Sequence, residues 1–256
     1  TYGGEFGNLY AAKACRHVIP NIQIECQTTA GVNTNHNMLL TINGLSSSVF
    51  VNKKINYAKP NIHFMEGAVN MSTTGGEIIY IMGSNFGPLT TPSSLLDGST
   101  FTPIVRYGTT IINLQNNVTS LSSINGQDDI EDTVVYVASN CVVRIAHVQI
   151  MCTTAPGMGT NHYWEVTIGD QTSSISTIDT SYRPPVILSI TGTGVEGGDT
   201  RGGQEVLIEG FGFHPSADIT AEYGYGDMYT AMACTVIVDH FSVRCLTDAG
   251  TGKNLP

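Results

Sequence analysis

Six cysteines fall into three pairs of a single spacing: Cys15/Cys26, Cys141/Cys152 and Cys234/Cys245, eleven residues apart each time. One spacing used three times means an internal repeat, and a repeat constrains the fold before any local pattern does. The flanks agree. Tyr2-Gly3, Tyr107-Gly108 and Tyr223-Gly224 precede the pairs. Thr28-Thr29-Ala30-Gly31, Thr153-Thr154-Ala155-Pro156-Gly157 and Thr247-Asp248-Ala249-Gly250 follow them.

The repeat also sets the domain boundaries. Upstream of the middle pair run Pro60-Asn61-Ile62, then Gly75-Gly76-Glu77-Ile78-Ile79-Tyr80-Ile81-Met82-Gly83, then Asn85-Phe86-Gly87. Upstream of the last pair run Pro185-Val186-Ile187, then Gly202-Gly203-Gln204-Glu205-Val206-Leu207-Ile208-Glu209-Gly210, then Phe211-Gly212-Phe213. Residues 1–59 therefore read as the back of one module, 60–184 as a complete module and 185–256 as the front of a third, so the chain is expected to begin and end inside modules. Gly108 and Cys141 are 33 residues apart, against 10 between Gly224 and Cys234, which places an insertion near 109–133.

Composition narrows the function class. A chain of 256 residues with 41% hydrophobic residues can bury real cores and is not a disordered tract. The net charge of −10 argues against nucleic acid, whose binders need a basic stripe. No apolar run approaches the length of a membrane-spanning helix.

A ten-residue gap between cysteines, flanked by strand-like sequence, fits two adjacent antiparallel strands better than a zinc site, whose ligands sit closer together. In the middle copy the strands are Cys141–Ile145 and Val148–Cys152. Directly opposed positions approach closely enough for a disulfide, so Cys15–Cys26, Cys141–Cys152 and Cys234–Cys245 are expected bridges. Pairs of buried free thiols are the alternative. Disulfides in turn point to an oxidising, extracellular compartment, secreted or at the cell surface. Two sequons agree with that: Asn70-Met71-Ser72 and Asn117-Val118-Thr119, both in expected loops, are candidate N-glycan sites. Thr90-Thr91-Pro92-Ser93-Ser94 suits O-linked sugar on composition.

Secondary structure reads as strands throughout, short runs of Val, Ile, Thr and Tyr punctuated by Gly, Pro, Asn and Ser. Ile78–Met82, Thr133–Val137, Trp164–Ile168, Val206–Glu209 and Met38–Ile42 are examples. Alternation in Trp164–Ile168 puts Trp164, Val166 and Ile168 on a buried face and Glu165 and Thr167 on the other. The expected class is all-β, built of sandwiches. Tyr57-Ala58-Lys59-Pro60 and Tyr182-Arg183-Pro184-Pro185 read as joints stiffened by proline.

Taken together, Pro-x-Ile, Gly-Gly-x-x-Val/Ile-x-Ile-x-Gly, x-Phe-Gly, Tyr-Gly and Cys-Thr-Thr-Ala-Pro-Gly resemble the IPT/TIG module over nearly the whole chain. The match is tightest at Gly202–Phe213 and Cys152–Gly159, and weakest where Ala30-Gly31-Val32 replaces Ala-Pro-Gly. The resemblance implies tandem immunoglobulin-like β-sandwiches with an extracellular binding or spacer role, and no catalytic site.

The residues themselves offer little for chemistry. His36 and His162 recur in Thr34-Asn35-His36 and Thr160-Asn161-His162, which fits a structural loop role better than a catalytic one. The acidic run Asp128-Asp129-Ile130-Glu131-Asp132 offers hard oxygens but lacks the spaced order of a calcium loop, and reads as solvated. Gly197-Gly198-Asp199-Thr200-Arg201-Gly202-Gly203 lacks the Lys-Ser/Thr of a phosphate loop and reads as a hairpin loop. Trp164 is expected in the core. No cofactor or metal is expected, and an enzyme is not.

Two function classes follow. One is a structural extracellular glycoprotein whose repeats stack into a rod or polymerise into a filament, its partners being other copies of itself and covalent glycans. The other is a receptor or adhesin ectodomain that binds a protein or glycan ligand. Low charge and abundant Ser, Thr and Asn suit the first, where sugar supplies solubility.

Overall fold

A computed structural model describes residues 1–89, 101–109, 135–226, 228–253 and 255. Every regular element among them is a strand. The first stretch carries β1 (Lys13–Ile19), β2 (Gln23–Gln27), β3 (His36–Met38), β4 (Thr41–Ile42), β5 (Leu45–Ser46) and β6 (Phe50–Ile55). The second carries β7 (Asn61–Glu66), β8 (Ile78–Ser84), β9 (Ile104–Thr109), β10 (Val135–Val137), β11 (Ser139–Ile145), β12 (Gln149–Thr153), β13 (His162–Ile168) and β14 (Gln171–Thr172). The third carries β15 (Val186–Thr191), β16 (Glu205–Phe213), β17 (Glu222–Tyr223), β18 (Tyr229–Thr230), β19 (Met232–Val238) and β20 (His240–Leu246).

The central stretch is an immunoglobulin-like β-sandwich. One four-stranded sheet runs β11-β12-β8-β7 and the other β10-β9-β13-β14, with every pairing antiparallel. Alternation explains the core: in β8, Ile79 and Ile81 are fully buried while their neighbours are not. Ile150, Val105, Val166 and Trp164 are also at 0% exposure. Each such aliphatic side chain stabilises the sandwich by about 1.5–3 kcal/mol relative to an exposed one. Trp164 stacks on Tyr107 with ring centroids 4.0 Å apart, joining neighbouring strands β13 and β9 on the buried face of their sheet.

Two expected strand details change. Glu165, placed on the outer face by alternation, is buried to 1%. It is directly opposite Arg106 in the β13–β9 register, with the carboxylate 3.5 Å from the guanidinium, so a cross-strand cation accompanies the buried charge. Met38–Ile42 is not one strand. The Leu39 amide donates to Thr1 O (3.0 Å), which diverts the backbone from its ladder after Met38. Thr41 then pairs with Ser46 in a separate hairpin whose turn, Asn43-Gly44, is left-handed at both residues (φ 50° and 82°), as a two-residue hairpin requires.

The chain forms two compact units. The first comprises Thr1–Ala68, Ile78–Thr154 and Asn161–Asp179 and holds the central sandwich. The second comprises Val69–Glu77, Ala155–Thr160 and Thr180–Pro256. Its main sheet runs β15-β16-β20-β19, with a core of Ile208, Val243 and Cys245.

Candidate functional site

The three cysteine pairs are disulfides: Cys15–Cys26, Cys141–Cys152 and Cys234–Cys245, with Cα atoms 4.1, 4.2 and 4.1 Å apart. Each closes a hairpin, β1–β2, β11–β12 and β19–β20. The backbone repeats as closely as the covalent bond. Immediately before each first cysteine a residue is left-handed, Ala14, Asn140 and Ala233 at φ 49°, 52° and 50°, where the strand register slips. Such a bulge twists the strand and presents the cysteine to its partner. At each hairpin tip another left-handed residue makes the turn: Asn21, His147 and His240 at φ 61°, 66° and 68°.

A second device follows each bridge in the first and last copies. Tyr2 Oη accepts from the Thr29 amide at 2.8 Å, and Tyr223 Oη from the Asp248 amide at 2.9 Å. Tyr10 Oη accepts from the Val32 amide (3.0 Å) and donates to its carbonyl (3.1 Å). Tyr229 Oη does the same with Thr251, at 3.2 and 2.9 Å. The tyrosines stack in pairs, Tyr2 on Tyr10 and Tyr223 on Tyr229, with centroids 5.3 Å apart in both. Tyr107 and Tyr136 form a similar pair at 5.3 Å. Two phenols thus clamp the loop that leaves the second cysteine. The sequence did carry a signal for the second tyrosine, which precedes the first cysteine by five residues in all three copies.

A third tyrosine joins the clamp. Tyr57 Oη donates to Thr29 O at 2.6 Å, and Tyr182 Oη to Ala155 O at 2.9 Å. Burial, with the Tyr2 hydroxyl alongside, holds the Tyr57 hydroxyl's pKa well above the ordinary tyrosine value, so it stays a donor. Gly31 and Gly157 are required opposite these rings, since a Cβ on Gly31 would lie 2.6 Å from the Tyr57 ring and one on Gly157 would meet Tyr182.

His36 is 2% exposed, and its Nε2 donates to Val32 O at 2.8 Å amid Tyr2, Tyr10 and Tyr57. His162, 1% exposed, stands edge-on to Tyr107 and Tyr136. Both rings fill structural cages. In the Gly197–Gly203 turn, Arg201 pairs with Asp199 (2.7 Å), and a strand, β16, follows.

Within the first unit, residues 33–59 are sewn to the β13–β14 turn. Asp170 accepts from the Thr34 amide (3.0 and 3.1 Å) and from the Thr34 hydroxyl (2.7 Å). Its own amide donates to Asn33 Oδ1 at 3.0 Å. Gln171 Nε2 donates to Tyr57 O and Lys59 Nζ to Ser174 Oγ, both at 3.0 Å. Gly169 is left-handed (φ 61°), and a Cβ there would collide with Asn33 Oδ1. Gly87 leaves room for Val32, whose Cγ1 would lie 2.6 Å from an added Cβ. Pro60, expected to stiffen this joint, is buried.

Surface features complete the site. Asn70 is exposed and left-handed (φ 55°), its carbonyl held by Arg183 Nε at 2.7 Å. Arg183 also pairs with Glu77 at 2.7 Å. Asn117, the acidic run Asp128–Asp132 and Thr90–Ser94 lie outside the described residues. At each hairpin tip the same two positions expose apolar side chains. Ile19, Ile145 and Val238 are 44–52% exposed, and Ile22, Val148 and Phe241 are 81%, 42% and 44% exposed. Among the described residues, no helix is long and apolar enough to cross a membrane.

A comparison with curated proteins finds no match for the chain. Disulfides of this kind are compatible with an extracellular location. Residues 68–183, which hold most of the central sandwich, match the IPT/TIG domain and so form an immunoglobulin-like domain of that family.

Proposed function

We propose that this chain is a structural extracellular glycoprotein, built of tandem IPT/TIG modules that stack into a rod or a polymeric filament. The observation that carries the reading is the seam between residues 33–59 and 169–174. The Asp170 carboxylate, Gln171 and Lys59 fasten one repeat to the next through side chains, and two glycines allow the close approach. A flexible string of receptor modules needs no such seam, whereas a rod does. N-glycans on Asn70 and Asn117, with O-glycans on the Thr90–Ser94 tract, would supply the surface polarity that only 12% charged residues leave wanting. The role is non-catalytic, and the self-association surface lies among the repeats themselves.

A second reading, an adhesin or receptor ectodomain, draws on a separate observation. The paired apolar residues at the hairpin tips recur in all three copies and stay exposed, as a binding surface would. Electron microscopy of the native protein separates the two. Uniform filaments with an axial repeat of one or two modules support the structural reading. Monodisperse rods that never polymerise at high concentration overturn it in favour of the adhesin.

A further inference from the structure

Within the second unit, the segment Val69–Glu77 meets the turn between β19 and β20: His240 Nδ1 lies 3.0 Å from Thr73 Oγ1. Thr73 is 5% exposed, and its carbonyl accepts from the Gly157 amide at 3.0 Å, so the contact reaches a buried and well-tied loop. A second imidazole backs the first. The ring of His214 stands edge-on to that of His240, with centroids 5.5 Å apart at 78°. His214 Nδ1 accepts from the Ser216 amide at 3.2 Å, which requires that nitrogen to be unprotonated.

The other copies show what the pair replaces. At the left-handed tip, His240 corresponds to Asn21 in the first hairpin and His147 in the second. After the Gly-x-x-Phe step, His214 follows Phe213 as Gly87 follows Phe86, because Gly83 and Gly210 each abut the phenylalanine three residues on. Two facing histidines therefore occur at this seam, where the first seam has Gly87 beside Val32.

We propose that the His214–His240 pair is an acid-sensitive latch, which holds the Thr73 loop at neutral pH and releases it when both rings take protons. A protonated His214 gives up the Ser216 amide, and two imidazolium rings at this separation repel each other; the Thr73 hydroxyl can accept from a protonated His240 Nδ1, so it is this repulsion, by displacing the His240 ring, that frees the loop. Asp239 adjoins His240 in the turn, and the Glu77–Arg183 ion pair on the Thr73 side is internally neutralised.

The sign of the effect follows from the surroundings. Burial first, and then the His240 charge, lower the pKa of His214, while Asp239 opposes them. A depressed histidine favours the closed, neutral form. The stabilisation is full above the ordinary histidine value and is lost as pH falls through the depressed one. The latch operates under either functional reading above.

Amide hydrogen exchange of the full chain at about pH 7.5 and about pH 5.5, corrected for intrinsic rates, tests this directly. Protection of residues 69–77 and of the β19–β20 turn should fall roughly tenfold in acid. The double variant His214→Gly/His240→Asn takes its residues from the other copies, and Asn tolerates the left-handed tip. Its protection should not change with pH. No acid effect in the natural chain, or an equal effect in both proteins, would overturn the latch. Should the variant not fold, NMR titration of the natural chain decides the matter. Coupled titration of the two rings, with His214 low, supports the proposal, and two independent, ordinary titrations refute it.

Discussion

Asp170 receives three hydrogen-bond contacts from Thr34, a residue 136 positions earlier, two from its amide and one from its hydroxyl. Hydrogen bonds to an ionised acceptor are about twice as strong as neutral ones, so this pair is the strongest polar tie in the seam. Asp170→Ala removes the acceptor and leaves the Asn33 contact to the backbone amide. Because the site is exposed, the expected loss is about 1 kcal/mol rather than the upper range for charged partners. Urea unfolding monitored by Trp164 fluorescence measures it, and Asp170→Asn should recover part of the loss.

Gly169→Ala should cost more, about 1–3 kcal/mol, since it adds a strained left-handed residue to a collision with Asn33. Limited proteolysis is the sharper readout. Cleavage should accelerate near residues 56–60, where the seam lets go, and an unchanged digestion pattern would count against the seam.

Removing a bridge by Cys141→Ala/Cys152→Ala should destabilise the central sandwich by roughly 2–3 kcal/mol from loop entropy. A further loss comes from truncating two side chains that are 5% and 1% exposed. The matching Cys15→Ala/Cys26→Ala change should cost only the entropic part, because both residues are exposed. Comparison of the two melting temperatures under oxidising conditions checks the ordering.

Tyr10→Phe deletes one hydroxyl that both donates to and accepts from Val32. The Val32 carbonyl keeps His36 as a donor, but the amide is stranded. An expected cost of about 1–3 kcal/mol follows from leaving one buried donor unsatisfied. Chemical denaturation reads it out, and Tyr229→Phe, whose partner Thr251 is exposed, should cost less.

Asn70 offers a modification test. Ser72→Ala destroys the sequon while leaving the backbone contacts of Asn70 in place, and its glycopeptide should vanish from the mass spectrum of protein from a glycosylating host. Persistence of the sugar-bearing peptide would assign it elsewhere.

The hairpins and their bridges were legible in the sequence because a covalent partner at fixed spacing needs no tertiary context. Alternation in Trp164–Ile168 marked the buried Trp164, Val166 and Ile168 without tertiary context too, as the pleat alone decides which side chains turn inward. Glu165 escaped that logic because Arg106, on a strand some sixty positions earlier, determines its burial. Asp170 escaped too, since nothing near it in the chain signals Thr34. Tyr136 was masked by the insertion that separates it from Tyr107, although its distance to Cys141 matched the other copies all along.

The bridges have a mechanical consequence. Each disulfide joins adjacent strands at the base of a hairpin, so a pull along the chain bypasses the residues between its cysteines. At 3.3–3.6 Å per extended residue, eleven steps less the short span of the bridge itself leave about 35 Å of contour that tension cannot draw out. Three hairpins withhold about 100 Å in all, making the chain shorter and stiffer at full stretch than its length suggests.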